Sequence, residues 1–173
     1  MAENNKNITG LEVASMSFSA DVQVPTFRED RKAGIIKYGV DNMYPDFLLD
    51  MFINGSAKHS AIINRKVSMV SGQGFEAIQT KELKRFVNNI RGSHPLTDMS
   101  KLLSADYEVF NAFSMVIRWN SDKSKIAAID YVPVHKVRKG IADNTWFVSD
   151  NWKHHKKVES NTRMYKAFNG AES

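Results

Sequence analysis

The stretch "YPDFLLDMFINGSAKHSAIINRKVSMVSGQGF", Tyr44 to Phe75, decides how this chain is read. Pro45 suits the first turn of a helix, where its missing N–H leaves no bond unmade, and Asp41 and Asn42 just before it can turn the backbone with their side chains. Phe47, Leu48, Met51 and Phe52 recur at three- and four-residue spacing, placing four large apolar groups on one stripe, and Gly55 is expected to end the helix in the left-handed cap conformation. Ser56 can cap a second helix whose stripe holds His59, Ile62, Ile63, Lys66, Val67 and Val70, with Lys58, Asn64, Arg65 and Ser68 on the other side. Gly72 and Gly74 stop it. Isolated helices of this length are marginal in water, so the apolar faces of the pair must dock on something.

Working outward toward the C-terminus, Thr80 as cap with Leu83, Phe86, Val87 and Ile90 predicts a third helix, closed by Gly92 and Pro95. A fourth is expected from Thr97, with Met99, Leu102, Leu103, Tyr107 and Phe110 on its apolar face. The period then changes. "FSMVIRWN", the turn residues "SDKS" and "KIAAIDYVPV" read as a β-hairpin closed by Pro133, and "TWFVSD", Thr145 to Asp150, as another strand. The remainder from Asn151 is basic and polar with scattered aromatics, and is expected to fray.

Toward the N-terminus, "FREDRKAG", Phe27 to Gly34, is charge-dense and predicts a solvated loop, followed by a short extended "IIKYG". Met16, Phe18, Ala20, Val22 and Val24 alternate with smaller or polar residues, the period of a half-buried strand, and Pro25 ends the run. Residues 1–10 are Asn-rich and polar, a flexible leader by composition. The organisation expected is a leader at 1–10, one α+β domain over 11–152 with helices packed on a small, mainly antiparallel sheet, and a basic tail over 153–173.

The chain has 173 residues, the size of one domain, with an ordinary globular balance of apolar (42%) and charged (25%) residues. Lys and Arg outnumber Asp and Glu 24 to 19, a net charge of +5, an excess that suits nucleic acid or simply solubility. The absence of cysteine excludes disulfides, thiolate nucleophiles and Cys-based zinc sites. The polar start "MAENNKNITG" is unlike a signal peptide, and no run approaches the roughly eighteen apolar residues of a membrane span, so synthesis in the cytoplasm and no membrane partner are expected.

Motifs that could carry chemistry have plainer structural readings. "SGQGFE" holds Gly-x-Gly, but after a helix instead of a strand and without the third glycine of a dinucleotide loop, so it reads as a helix terminator. His154 and His155 are adjacent and cannot share one helix face as zinc-binding histidines do. Trp152, Lys153, His154, His155, Lys156 and Lys157 could touch phosphates with a stacked base, yet such runs are more commonly a solvated patch. His59 reads as a hydrogen-bonded, half-buried side chain, and Asp46 and Asp50 as surface acids without an obvious partner. No catalytic set, cofactor or metal is predicted.

The order of elements is the informative feature: the helical hairpin and glycine turn, an amphipathic helix "LLSADYEVFNAF", the hairpin "SMVIRWNSDKSKIAAIDYVPVHKVRKG" and "WFVSDNW". From Tyr38 to Trp152 this resembles the N-terminal, wing-bearing part of tailed-bacteriophage portal proteins, particularly those of phages and prophages of gut bacteria related to Bacteroides. The matching positions are Tyr44, Pro45, His59, Ile62, Ile63, Lys66, Gly72, Gly74 and Phe75, then Val132, Pro133, Val137 and Arg138, where an arginine follows the end of a strand. The resemblance implies a structural, non-enzymatic subunit of a homo-oligomeric ring at one capsid vertex of the virion. Its implied partners are other portal subunits, terminase, capsid and neck proteins, and double-stranded DNA that passes without being read. It also implies that the hairpin packs its apolar stripe on the wing and turns polar faces to neighbouring subunits. The stem, clip and crown expected of a full portal are not recognisable after Trp152, which implies a truncated chain. The alternative from composition is a freestanding basic nucleic-acid-binding module around Lys153 to Lys157, with Trp146 and Trp152 as stacking groups.

Overall fold

Phe27–Asp30 (β1) and Ile35–Tyr38 (β2) pair antiparallel, Phe27 opposite Tyr38 and Asp30 opposite Ile35, in a computed structural model that describes residues 25–76, 80–88, 94–153 and 162–168. The expected solvated loop at 27–34 is therefore corrected to a strand and a turn. Charge hid it, because this strand is largely exposed and is held by its side chains. Lys37 meets Asp30 at 2.6 Å, the Phe27 and Tyr38 rings sit 4.5 Å apart, and Asp30 Oδ1 accepts the N–H groups of Lys32 and Ala33. The leader and the alternating run Met16–Val24 lie outside the described residues, as does Ile90.

Helix α1 (Tyr44–Ile53) carries Pro45 in its first turn as expected, and Asp41 Oδ1 accepts the Met43 N–H at 3.0 Å to turn the chain into it. Its end differs from expectation. The left-handed glycines among the described residues are Gly34, Gly39, Gly72 and Gly74, not Gly55. Gly55 instead lies so close to the preceding turn that a Cβ would come 2.5 Å from the Met51 carbonyl oxygen, so it is proximity that favours glycine there.

Ser56 caps α2 (Ala57–Ser71) by accepting the His59 N–H at 3.4 Å, and Gly72 ends the helix with φ +56°. Helix α3 (Lys81–Asn88) is capped by Thr80, whose hydroxyl accepts the Leu83 N–H at 3.2 Å. Helix α4 (Leu96–Phe110) begins one residue before Thr97, because the Thr97 hydroxyl is taken by the Phe75 N–H at 3.2 Å. Gly74 packs directly on Thr97, leaving no room for a Cβ. The Gly-x-Gly turn therefore stops α2 and lets the chain cross the start of α4.

Strands β3 (Met115–Trp119) and β4 (Ile126–Tyr131) form the expected hairpin, Met115 opposite Tyr131, with a bulge at Arg118/Trp119. A 3-10 turn (Val134–Lys136) leads into β5 (Val137–Lys139), β6 (Thr145–Ser149) and β7 (Thr162–Lys166), a three-stranded antiparallel sheet in that order. Two of these strands escaped the sequence reading. β5 is three residues long, and β7, "TRMYK", lies in the segment expected to fray; pairing with β6 gives both their place. A bridge between Ile35 and Gly140 and the Ile141 N–H to Gly34 carbonyl bond of 2.9 Å set the first hairpin beside this sheet.

The fold is α+β: among the described residues, four α-helices with small antiparallel sheets. Ala33, Ile35, Phe147 and Trp152 make the core between the first hairpin and the three-stranded sheet, with Met43 packed against it. In the helical layer α2 lies along α4, and Ile63, Met99 and Val109 are buried. Most of the stripe predicted for the helical hairpin is not. Phe47, Met51, Ile62 and Val70 are exposed, as are His59 and Lys66, while Val67, Leu48 and Phe52 are half-buried. One helix can bury only the narrow face that meets its neighbour, and for α2 that face is centred on Ile63 and Val67. The expectation that polar faces alone look outward is corrected.

Candidate functional site

The most organised group of polar side chains surrounds Arg138, on β5, which is 3% exposed. A guanidinium carries five N–H donors in a fixed fork. Here Nε donates to Asn42 Oδ1 at 2.7 Å, Nη2 to the Asn42 carbonyl at 2.6 Å, and Nη1 to the carbonyls of His135 and Val137 at 2.7 and 2.8 Å. Nη2 also faces Asp46 of α1 at 3.7 Å, and the guanidinium carbon stands 5.0 Å from the Trp152 ring centroid. Asn42, with φ +64°, adopts the left-handed conformation that asparagine tolerates best, and its Oδ1 also accepts the Tyr38 N–H at 3.0 Å. One cation thus ties the start of α1, the 3-10 turn, β5 and the segment at Trp152.

Burial pulls the Arg138 pKa down to about 10, opposed by the Asp46 charge, so the group remains a cation at neutral pH. His135 stands beside the same cluster, and burial holds its pKa below the ordinary histidine value, with Asp46 and Asp106 opposing and Lys136 and Arg138 assisting. Its Nδ1 is buried with no hydrogen-bond partner among the described residues. Burial thus favours the neutral form of the imidazole.

A second polar contact joins α4 to the sheet region. Asp106, buried on α4, accepts the Tyr131 O–H at 2.9 Å and the Val134 N–H at 3.0 Å through Oδ2. Desolvation raises its pKa, and the two hydrogen bonds work against that rise. The same burial, with the Asp106 charge, pushes the Tyr131 phenol well up. Both contacts are buried or part-buried. They fix the helical layer to the sheets.

The surfaces are the reverse. On α2, Ile62 and Met69 project away from the α4 contact at 56% and 68% exposure, Val70 is exposed near the end of the helix, and Lys66 is held by Glu108 of α4 at 2.9 Å. Phe47 and Met51 of α1 and Phe75 after the glycine turn add to the exposed apolar area. A crevice separates the β3–β4 hairpin from the outer face of the three-stranded sheet. Its polar end, about 570 Å³, is lined by Arg118, Lys136 and Arg163 with Asp130 and Asp150; its apolar end, about 370 Å³, by Phe113, Met115, Trp146, Tyr165 and Phe168. Arg118 pairs with Asp130 and Lys136 with Asp150, each at 2.7 Å.

The residues singled out in the sequence are not gathered at one place. Tyr44 packs edge-on to Tyr38 with ring centroids 5.2 Å apart, Pro45 is buried at the start of α1, and Pro133 is half-buried before the 3-10 turn. His59 is exposed against the edge of Phe52, not half-buried as expected. Asp46 and Asp50 do have partners, Arg138 for the first and the Asn54 amide at 2.6 Å for the second. Trp152 is not an exposed base-stacking group. It is 4% exposed, donates Nε1–H to the Lys136 carbonyl at 3.0 Å and lies beneath Arg138. Lys153 is exposed, Trp146 partly so, and His154, His155, Lys156 and Lys157 lie outside the described residues. Among the described residues no cluster of three metal-ligating side chains occurs, and no helix is long and apolar enough to cross a membrane.

Arg138 was singled out by resemblance alone; Asn42, Asp106 and the buried role of Trp152 were missed. Asp106 had a legible signal, an acid set four residues from both Leu102 and Phe110 on an apolar stripe. Comparison with protein-family models, curated proteins and solved structures returned no match.

Proposed function

We propose that this chain is a non-catalytic structural subunit of a ring, equivalent to the wing-like part of a phage portal at the capsid vertex of a virion. In this role it contacts other copies of itself and the terminase, capsid and neck proteins that such a ring meets, while double-stranded DNA passes without base-specific contact. The reading rests on the element order of the sequence and on one observation. Among the described residues, eighteen large hydrophobic side chains are exposed and nine hydrophobic residues are buried, an inversion that points to surfaces covered by other chains. The exposed set is densest on the helical hairpin.

The internal contacts suit the same role. A ring subunit transmits position from one neighbour to the next, and the Arg138 and Asp106 contacts hold the helical layer at a fixed place on the sheets. The net charge of +5 is compatible with a nearby DNA backbone, which needs a surrounding field more than specific contacts.

Negative-stain electron microscopy of the purified full chain, beside its sedimentation, tests the proposal. Closed rings of one discrete size are expected, since a head-to-tail interface closes when its rotation divides the circle. Particles that remain monomeric at every concentration overturn it.

A further inference from the structure

The two ends of the crevice form one continuous groove, since Val116, Val132, Val148 and Tyr165 line both. Sheet register gives one wall its character. Trp146 stands opposite Tyr165, and Val148 opposite both Val137 and Arg163. Side chains paired across neighbouring strands share a face, so a tryptophan, a tyrosine and an arginine lie together on the outer face of the three-stranded sheet. The other face carries Phe147 and Arg138 into the interior. Trp146 is 40% exposed and Tyr165 half-buried, and both rings line the groove.

Cations outnumber acids along this groove. At its polar end Arg118 and Lys136 are each in an ion pair of 2.7 Å, with Asp130 and Asp150, while Arg163 makes no ion pair among the described residues. Lys136 holds the Asp150 carboxyl below the usual carboxylate range, with the more distant Arg163 charge assisting. Lys166 adds a cation at the apolar end, where no described acid lines the wall.

We infer that the groove binds single-stranded nucleic acid, with phosphates meeting Arg118, Lys136 and Arg163 and a base stacking on Trp146 and Tyr165. The inference goes beyond the assembly role and stands independently of it. Charge complementarity and ring chemistry together select the occupant. An acidic peptide satisfies the cations alone and an apolar peptide the rings alone, whereas every nucleotide brings both an anion and a flat apolar face. In a duplex the bases are already stacked on one another, so the rings have nothing to receive. The existing ion pairs are no obstacle, because a guanidinium has five N–H donors and Arg118 can hold Asp130 and a phosphate at once. Stacking is indifferent to base identity, so no strong sequence preference is expected.

For the test, a labelled oligothymidine of about 12 nucleotides, within the site sizes of single-strand binders, is titrated with the full chain at low salt and followed by fluorescence anisotropy. The expected result is saturable binding with Kd in the range of about 10⁻⁶ to 10⁻⁴ M that weakens as salt rises, and about tenfold weaker binding to a duplex of the same length. An oligouridine of equal length separates DNA from RNA, and binding of either supports the inference. Arg163→Glu should weaken binding about tenfold, whereas Lys58→Glu, the same charge change at an exposed site on α2, should cost less than about twofold. Trp146→Ala should also weaken it about tenfold. Trp146→Phe, which keeps a ring, should cost less than about threefold, so a lost stack is told apart from a damaged fold. The inference is overturned by no binding at low salt, by a duplex bound as tightly as the single strand, or by Lys58→Glu or Lys153→Glu costing as much as Arg163→Glu.

Discussion

The surroundings of Arg138 and the outer face of α2 are opposite solutions to the same chain's composition. Around Arg138 a cation is inside with its donors bonded to Asn42 and to the His135 and Val137 carbonyls, and Asp46 faces it at 3.7 Å; along α2, Ile62, Met69 and Val70 are outside with no described element over them. A buried charge is tolerated only where its hydrogen bonds are made, and it then fixes geometry more than it adds stability. An exposed apolar stripe does the reverse, being neutral to the fold and available to a partner. The polar interior fixes the shape of the fold, and in the proposed role the apolar exterior is what that shape would join by.

This contrast is open to attack by substitution. The largest effect is expected for Arg138→Met, which strands the carbonyls of Asn42 and His135 and leaves Asp46 without its cation. Each buried acceptor left unpaired costs about 1–3 kcal/mol, the sum is read as a lower urea midpoint, and a total loss under about 1 kcal/mol would contradict the anchoring role. Asp106→Ala comes next, because the Tyr131 hydroxyl and Val134 N–H lose their acceptor; about 1–3 kcal/mol is expected in the same measurement.

The pH dependence has a sign fixed by burial. His135 has a folded-state pKa below its ordinary 6.5, so the unfolded chain takes up that proton first. Stability is then full above pH 6.5 and is lost as pH falls through the folded-state value, and His135→Phe should flatten that part of a melting-temperature profile. Asp106, with its pKa raised by burial, acts oppositely: its ionisation in the fold lowers stability as pH rises from its ordinary 3.8 through the raised value. The smallest effect is expected for Lys66→Met. The Lys66–Glu108 pair is exposed on the lysine side, and such pairs contribute about 0.2–1 kcal/mol, which screening by added salt reduces further.

Much of the fold could be read directly. All four helices followed from apolar spacing and caps, and the β3–β4 hairpin and β6 from β-branched and aromatic runs. What escaped had its cause in tertiary pairing. β1 is charged because it is exposed, β5 is only three residues long, and β7 has no pattern of its own without β6 beside it. The site was less legible still. Spacing put Ile62 and Ile63 on one stripe, but 100° of helix rotation separates them, and contact with α4 buries Ile63 while leaving Ile62 outside. Trp152 looked like a surface aromatic among lysines, but packing on Ala33, Ile35 and Phe147, with Arg138 over its ring, buries it.

Sedimentation equilibrium of the unmodified chain against the Ile62→Glu/Met69→Glu variant tests most directly whether the outer face of α2 is an interface. The variant should keep its stability within about 0.5 kcal/mol, as surface changes do, while the unmodified chain forms a discrete oligomer and the variant stays monomeric. Equal masses for the two chains, whether both monomeric or both assembled, would contradict it.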